Sequence, residues 1–362
     1  MSARRERLQE RLESLGAQAM VCARRPNQLY LLDHPDPSTV ISRANCAFVL
    51  FAGAQTTVFP GVWISNACRD LLTGCEVVPN ELGDPAPQAQ LAARLRQLKL
   101  KKVVFDQLET GLAELLASQA PTTEAVADDV VTVLRRTKDA RDLAGLREAA
   151  RVADLGMQAA FRAVRPGVTC GEVAAEGTAV ILRAGAESAS MAPAAGPGAQ
   201  YLDSAEDPRR VIRAGDMVFI DLGIWVHGYL GDMTRSAIVG EGTEAQRDLL
   251  AVVQAAYGLA SQAMVPGADT AAIYRSVVEH FARKGWDRYF VHHVSHGLGL
   301  GGDLPRCARG VSDTLEVGDA LSCEPGCYVP RLGGARVENM IYVGKGGPEE
   351  LTRTPMDPQL GC

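Results

Sequence analysis

Residues 212–223 read Ile212-Arg-Ala-Gly-Asp-Met-Val-Phe-Ile-Asp221-Leu-Gly223, and residues 315–326 read Leu315-Glu-Val-Gly-Asp-Ala-Leu-Ser-Cys-Glu324-Pro-Gly326. Both run apolar-x-x-Gly-Asp, four residues, an acid, one residue and Gly. A long stretch with helical apolar spacing precedes each copy, and the two stretches stop at Pro166-Gly167 and Pro266-Gly267, 100 residues apart. Proline cannot continue a helical ladder and glycine accepts the reversed backbone, so both stops have a physical cause. Each acid is followed by a turn and a second strand with its own acid: Asp232 before Ala237-Ile238-Val239, and Glu338 before Ile341-Tyr342-Val343. Helix, stop, Gly-Asp turn and paired acids recur in one order, which predicts two halves folded alike and related by a pseudo-two-fold axis.

The duplication occupies only the latter part of the chain, and 362 residues suit two domains of roughly 100 to 200 residues each. In the first part, Leu8, Leu12 and Leu15 before Gly16 mark an amphipathic helix closed by glycine. Short β-type runs at Ala19–Cys22, Ala47–Phe51, Thr56–Phe59 and Lys102–Phe105 follow, with a helical stretch at Ala89–Leu98. That alternation predicts an α/β domain over 1–132 and an α+β duplicated domain over 133–362. In the second domain, Thr243 and Gln246 have the spacing of a capping box. The 37 basic against 43 acidic residues give a net charge of −6, without the basic surface that nucleic acid requires. No run approaches the roughly 20 apolar residues of a membrane span, and the Arg- and Glu-rich start is unlike a secretory signal. Nine cysteines, without paired metal-ligand spacing, read as reduced thiols, with Cys323 and Cys327 as small fillers beside Glu324. The expectation is a soluble cytoplasmic protein without nucleic-acid or membrane partners.

Asp221 closes the apolar run Met217–Ile220 and Glu324 ends its own strand, so both carboxylates stand at the edge of the core. If the symmetry turns the two acidic hairpins toward each other, four carboxylates converge. Each like-charge pair at ~4 Å costs on the order of 4 kcal/mol at an effective dielectric near 20, before desolvation. Such a cluster needs cations or protons, and two divalent ions would balance four charges at the roughly 3.5 to 4 Å spacing of two-metal hydrolytic sites. Three of six histidines crowd into His292-His293-Val-Ser-His296-Gly-Leu-Gly, where glycine lets the backbone pass close to a site; His34, His227 and His280 read as ordinary core or surface groups. One imidazole among carboxylates is a hard, oxygen-rich shell that favours Mn²⁺, with Co²⁺ or Zn²⁺ as alternatives.

The quoted segments resemble the pita-bread metallopeptidases, the group that contains methionine aminopeptidase, aminopeptidase P and prolidase. The family pattern is met at Phe219-Ile-Asp221-Leu-Gly, Gly231-Asp232-Met-Thr-Arg, Ser295-His296-Gly-Leu-Gly, Cys323-Glu324-Pro-Gly and Arg336-Val-Glu338-Asn, within a similarity running from about Arg135 to Gly344. The resemblance implies that Asp221 chelates one ion, that Asp232 and Glu338 bridge both, and that His296 and Glu324 complete the other. A water between the ions would then attack the scissile carbonyl. It further implies that Glu324 takes the proton, that His292 stabilises the oxyanion or moves protons, and that Tyr328 and Arg336 brace the site, Arg336 through a salt bridge to Asp221 or Glu338.

The first domain is similar to creatinase-type amino-terminal domains, from Arg4-Arg-Glu-Arg-Leu through Tyr30-Leu-Leu. This shifts the implied substrate toward Xaa-Pro bonds and implies a homodimer. The expected activity is cleavage of Xaa-Pro dipeptides, as in prolidase, with aminopeptidase P action on longer peptides as the alternative. A metal-dependent lyase or hydrolase acting on a small cationic molecule is a further reading; a dead binding protein would have lost ligands. Two positions depart from the family: Asp303 stands where relatives have a histidine seven residues after the metal His, and Asp203 stands in place of another. Both would make the substrate pocket acidic. Asp36, between two prolines, reads first as part of a surface turn; the alternative is that it borders the site and reads the ends of the dipeptide with Arg43 or Arg331.

Overall fold

A computed structural model describes residues 2–34, 46–196, 207–358 and 360–361. The chain divides into two compact units, Met1–Arg135 and Arg136–Cys362. Asp36, Arg43 and Asp203 lie outside the described residues.

The first unit is built on a six-stranded mixed sheet of β1 (Ala19–Cys22), β2 (Cys46–Ala52), β3 (Gln55–Pro60), β4 (Glu76–Val77), β5 (Lys102–Phe105) and β6 (Glu124–Ala127), in the order β4-β3-β2-β1-β5-β6. Every residue of β1 is buried, as expected of a central strand with both faces covered. Leu91, Leu95, Leu112 and Leu116, from the helices Pro87–Gln97 and Thr110–Gln119, pack with Val21, Leu50, Phe59, Val103 and Phe105 in one core. The expected helix at the start spans Ala3–Ser14; it buries Leu8 and Leu12, and Gly16 follows it with φ +63°.

In the second unit the repeat is visible bond by bond. Helices Ala140–Ala163 and Glu244–Ala263 both begin in capping boxes, the second formed by Thr243 and Gln246 as the sequence indicates. Both are followed by a glycine at positive φ, Gly167 (+93°) and Gly267 (+87°), whose amides donate to Ile212 O at 2.9 Å and Leu315 O at 2.7 Å. Shorter helices come next, Cys170–Arg183 and Thr270–Ala282. The two Gly-Asp motifs then make the same turn. Gly215 and Gly318 have φ +83° and +100°, where a side chain would be strained, and Asp216 and Asp319 accept the Arg213 and Glu316 amides, each at 2.8 Å. The motif is a turn device that sets the register of the following strand.

That strand is β8 (Met217–Val226) in the first half. It lies between β7 (Ser188–Ala195) and β9 (Tyr229–Ile238) in a three-stranded antiparallel sheet. The second half forms a five-stranded sheet from β10 (Ser295–Leu298), β11 (Gly302–Cys307), β12 (Ala320–Cys323), β15 (Asn339–Gly344) and β16 (Gly347–Glu350), ordered β11-β10-β12-β15-β16, plus the hairpin of β13 (Gly326–Val329) and β14 (Gly333–Arg336). A bridge between Thr234 and Glu338 joins β9 to the segment entering β15, so the two halves meet where their acids lie.

Candidate metal centre

Strand alternation puts the first pair of acids on one face. Across β8 and β9, Asp221 stands opposite Thr234 and Gly223 opposite Asp232, and residues two apart on a strand share a face. In the second half, Cys323 pairs with Asn339, so Glu324 and Glu338 flank the ladder end just beyond β12 and just before β15. Their amides are tied down, Glu324 N to Val294 O at 2.8 Å and Glu338 N to Thr234 O at 3.0 Å. His296 comes from β10, between β11 and β12. Its successor must be glycine, since a Cβ on Gly297 would collide with the backbone of Asp303 and Leu304.

These side chains converge. His296 Nε2 lies 3.3 Å from Asp232 Oδ2 and 3.4 Å from Glu324 Oε1. The Thr234 hydroxyl lies 2.9 Å from Asp221 Oδ1 and 2.7 Å from Glu338 Oε2 while accepting from Arg336 Nε at 2.8 Å. The Ser322 hydroxyl donates to Glu324 Oε1 at 2.7 Å and accepts the His296 amide at 3.0 Å, fixing ligand against ligand. Burial and the Asp232 and Glu324 charges hold Glu338 well above the usual carboxylate range. Burial likewise raises Asp232 to about 6. For Glu324, burial is outweighed by the His293 hydrogen bond and nearby cations, and its carboxyl falls to about 2. His296 is lowered by burial but raised further by Asp232 and Glu324, to about 9. Thr234 has one proton for two carboxylate oxygens. Either Glu338 keeps a proton or a cation lies among these groups.

The supporting residues form a chain. Arg336 donates to Asp221 Oδ2 at 2.6 Å and to the Tyr328 hydroxyl at 3.1 Å, in the salt bridge expected from the sequence. Tyr328 OH lies 3.1 Å from His292 Nε2, and His292 Nδ1 lies 2.7 Å from His293 O. The carbonyl can only accept, so Nδ1 carries the proton, Nε2 accepts from Tyr328, and burial holds His292 neutral by lowering it to about 4. In this tautomer the single Tyr328 proton is engaged by His292 Nε2, and burial holds the hydroxyl above its ordinary value.

Asp303 is buried. Its carboxylate takes space that a Cβ on Gly299 would fill and accepts from Lys138 Nζ at 2.9 Å, with both side chains 1% exposed. The expectation of an acidic substrate pocket at this position is corrected: Lys138 neutralises the charge internally. Arg331 is exposed, at φ +66° in the β13–β14 turn. Cys323 and Cys327 are core fillers as expected. The sequence reading assigned no role to Thr234, Ser322 or Arg235, which is 1% exposed and donates to Thr234 O and Glu338 O at 2.9 and 2.6 Å. Thr234 and Ser322 each stand two residues from a candidate ligand, on the same strand face, and that period was the available signal. His293, within the histidine cluster, also reaches Glu324 Oε1, at 3.0 Å.

The donor set fits divalent ions. Asp232, His296 and Glu338 offer ligand atoms within 4.8 Å of one another, and so do His293, His296 and Glu324. A duplicated β-structure with such a cluster at its seam defines a metallopeptidase of the pita-bread type. Residues 144–345 match metallopeptidase family M24, and the chain belongs to that family. It is 31% identical over 233 residues to an Xaa-Pro dipeptidase of Pyrococcus furiosus, covering 63% of this chain and 66% of that one. A Pyrococcus horikoshii Xaa-Pro dipeptidase is 30% identical over 251 residues, 68% of this chain and 71% of its own. The solved Xaa-Pro dipeptidase of Bacillus anthracis superposes with a TM-score of 0.86 at 25% identity, covering 99% of this chain and 98% of that one.

Proposed function

We propose that this chain is a dinuclear Xaa-Pro dipeptidase. The observation that carries the reading is the convergence of Asp232, His296, Glu324 and Glu338, with Asp221 tied to Glu338 through the Thr234 hydroxyl. Relatives named Xaa-Pro dipeptidase support the substrate class. In this reading Asp221, Asp232 and Glu338 would hold one ion, and Asp232, Glu338, His296 and Glu324 would hold the other. Bound ions lower the proton affinity of water and polarise the scissile carbonyl.

The chain does the rest. Glu324, fixed by Ser322, accepts the proton released at the site. Tyr328 would turn its proton from His292 Nε2 to the oxyanion, while Arg336 donates to the phenol oxygen from the other side. Arg336 also pairs with Asp221 and holds its carboxylate on the metal-bearing face. Asp36, Arg43, Arg331 and Asp203 complete the reading as candidates for gripping the ends of the dipeptide.

Mn²⁺ suits the carboxylate-rich shell, with Co²⁺ or Zn²⁺ as substitutes. The absence of disulfides among the described residues supports a cytoplasmic location, and the resemblance to prolidases supports a homodimer. The test is to strip metal, restore Mn²⁺, Co²⁺ or Zn²⁺ singly, and compare an Xaa-Pro dipeptide with its Xaa-Pro-Yaa tripeptide. Metal-dependent cleavage that favours the dipeptide is expected. Preference for the tripeptide would make the chain an aminopeptidase P, and activity on neither at full loading would point to lyase or hydrolase chemistry on a small cationic molecule.

A further inference from the structure

The proposed ligand set leaves one imidazole out. His293 lies three residues before His296, and its Nε2 is 3.0 Å from the same Glu324 Oε1 that His296 Nε2 approaches at 3.4 Å. The ligand atoms of these three residues all fall within 4.8 Å of one another. Donors 2.0 to 2.2 Å from a common ion are separated by about 3.0 Å in an octahedral shell and about 3.4 Å in a tetrahedral one, from the bond lengths alone. The two separations are of the size that donors around a single cation would have.

A plain hydrogen bond from His293 to Glu324 accounts for the first distance but not for the crowding. Oε1 already accepts the Ser322 hydroxyl at 2.7 Å, and two ring nitrogens then compete for what remains of one oxygen. His296 Nδ1 lies 3.1 Å from Gly297 O and keeps its proton there, so an ion that displaces the Nε2 proton would find that nitrogen directed at the cluster. The two imidazole rings stand edge to face, centroids 5.4 Å apart, so their nitrogens approach a shared point without the rings clashing. The His293 side chain is 36% exposed and Glu324 8%, so the imidazole closes the cluster from its solvent side.

We infer that His293 is a sixth protein ligand, and that the ion held by Glu324 is bound by two imidazoles. This inference rests on the dinuclear reading above and sharpens it, because the two ion positions then differ in kind. The Asp221 side offers only carboxylates, while the Glu324 side offers two nitrogens and so prefers borderline ions such as Zn²⁺ or Co²⁺ over Mn²⁺.

The test uses the full chain loaded with one equivalent of Zn²⁺, with X-ray absorption at the zinc edge to count imidazoles. Two imidazoles per zinc are expected in the wild type and one in His293→Gln, with zinc dissociation at least ~10-fold faster in the variant. The wild-type count stands even if the variant fails to fold. One imidazole in the wild type overturns the inference. So does weaker binding in His293→Gln with an unchanged count, since His293 would then act only through Glu324. A wild-type chain that binds two ions with one imidazole keeps the dinuclear reading and loses this inference, whereas a chain that binds no ion loses both.

Discussion

The two acid-bearing strand pairs descend from one sequence pattern yet sit in different surroundings. In β8–β9 the acids are embedded in a continuous ladder, eleven residues apart, with the Asp221 and Asp232 side chains 39% and 17% exposed. In the second copy the spacing is fourteen, from Glu324 to Glu338, because the hairpin between the acids, β13–β14, is three residues longer than its counterpart. Its acids are pushed past the strand ends, with Glu324 6% and Glu338 1% exposed. The longer hairpin carries Tyr328 and Arg336, and Arg336 reaches back to Asp221. Asp221 thus has its charge answered by a permanent cation and by solvent. The second copy holds a buried carboxylate that resists ionisation until a cation arrives. Symmetry of backbone has been kept while the two acidic positions nearest Arg336, Asp221 and Glu338, have come to differ most in burial.

The difference can be broken by exchanging its parts. Glu338→Gln removes the buried carboxylate shared by both ion positions, and kcat/KM on an Xaa-Pro dipeptide should fall by ~10³-fold or more, against a smaller loss for Asp221→Asn; equal losses would erase the proposed asymmetry. Next in size, Arg336→Met strands Asp221, and urea unfolding should show about 2–3 kcal/mol lost at unchanged m-value. That is less than stranding a fully buried charge, because the Asp221 side chain is 39% exposed. Thr234→Val removes the hydroxyl between the copies without altering the ladder, and ion affinity measured by titration calorimetry should weaken about 10–100-fold with the fold intact.

The smallest effect concerns pH. Asp232 at about 6 and Glu338 above the usual range hold protons more tightly folded than unfolded. Without metal, these two groups therefore make stability fall as pH rises from about 4 through 6. His296, raised to about 9, contributes stability that is complete below pH ~6.5 and lost as pH climbs through 9. Ions replace those protons, so the gain in Tm on metal loading should widen between pH 5 and 8, by on the order of 1 kcal/mol or more in stability. A gain that shrinks over that range would contradict the assignment.

Much of this was legible in the residues. The repeated Gly-Asp turn is a local device, held by a positive-φ glycine and an aspartate that accepts an amide three residues back, so its sequence carries its structure. Elements of β1 and β5 could be read to the residue because short apolar runs were bounded by polar ones. What could not be read was partnership across distance. Asp303 looked like a pocket residue by its place after His296, but its environment is decided by Lys138, 165 residues earlier in the chain. Thr234 and Arg235 are unremarkable in sequence and gain their roles only when β9 meets the segment carrying Glu338. The outward reach of His293 to Glu324 likewise depends on how two separate strands end.

The most direct measurement is the number of ions per chain. Metal-free protein dialysed to equilibrium against Mn²⁺ and analysed for metal should retain two, and Glu338→Gln no more than one. Retention of none by the wild type, or of two by both proteins, would contradict a cluster assembled from the paired halves around shared cations.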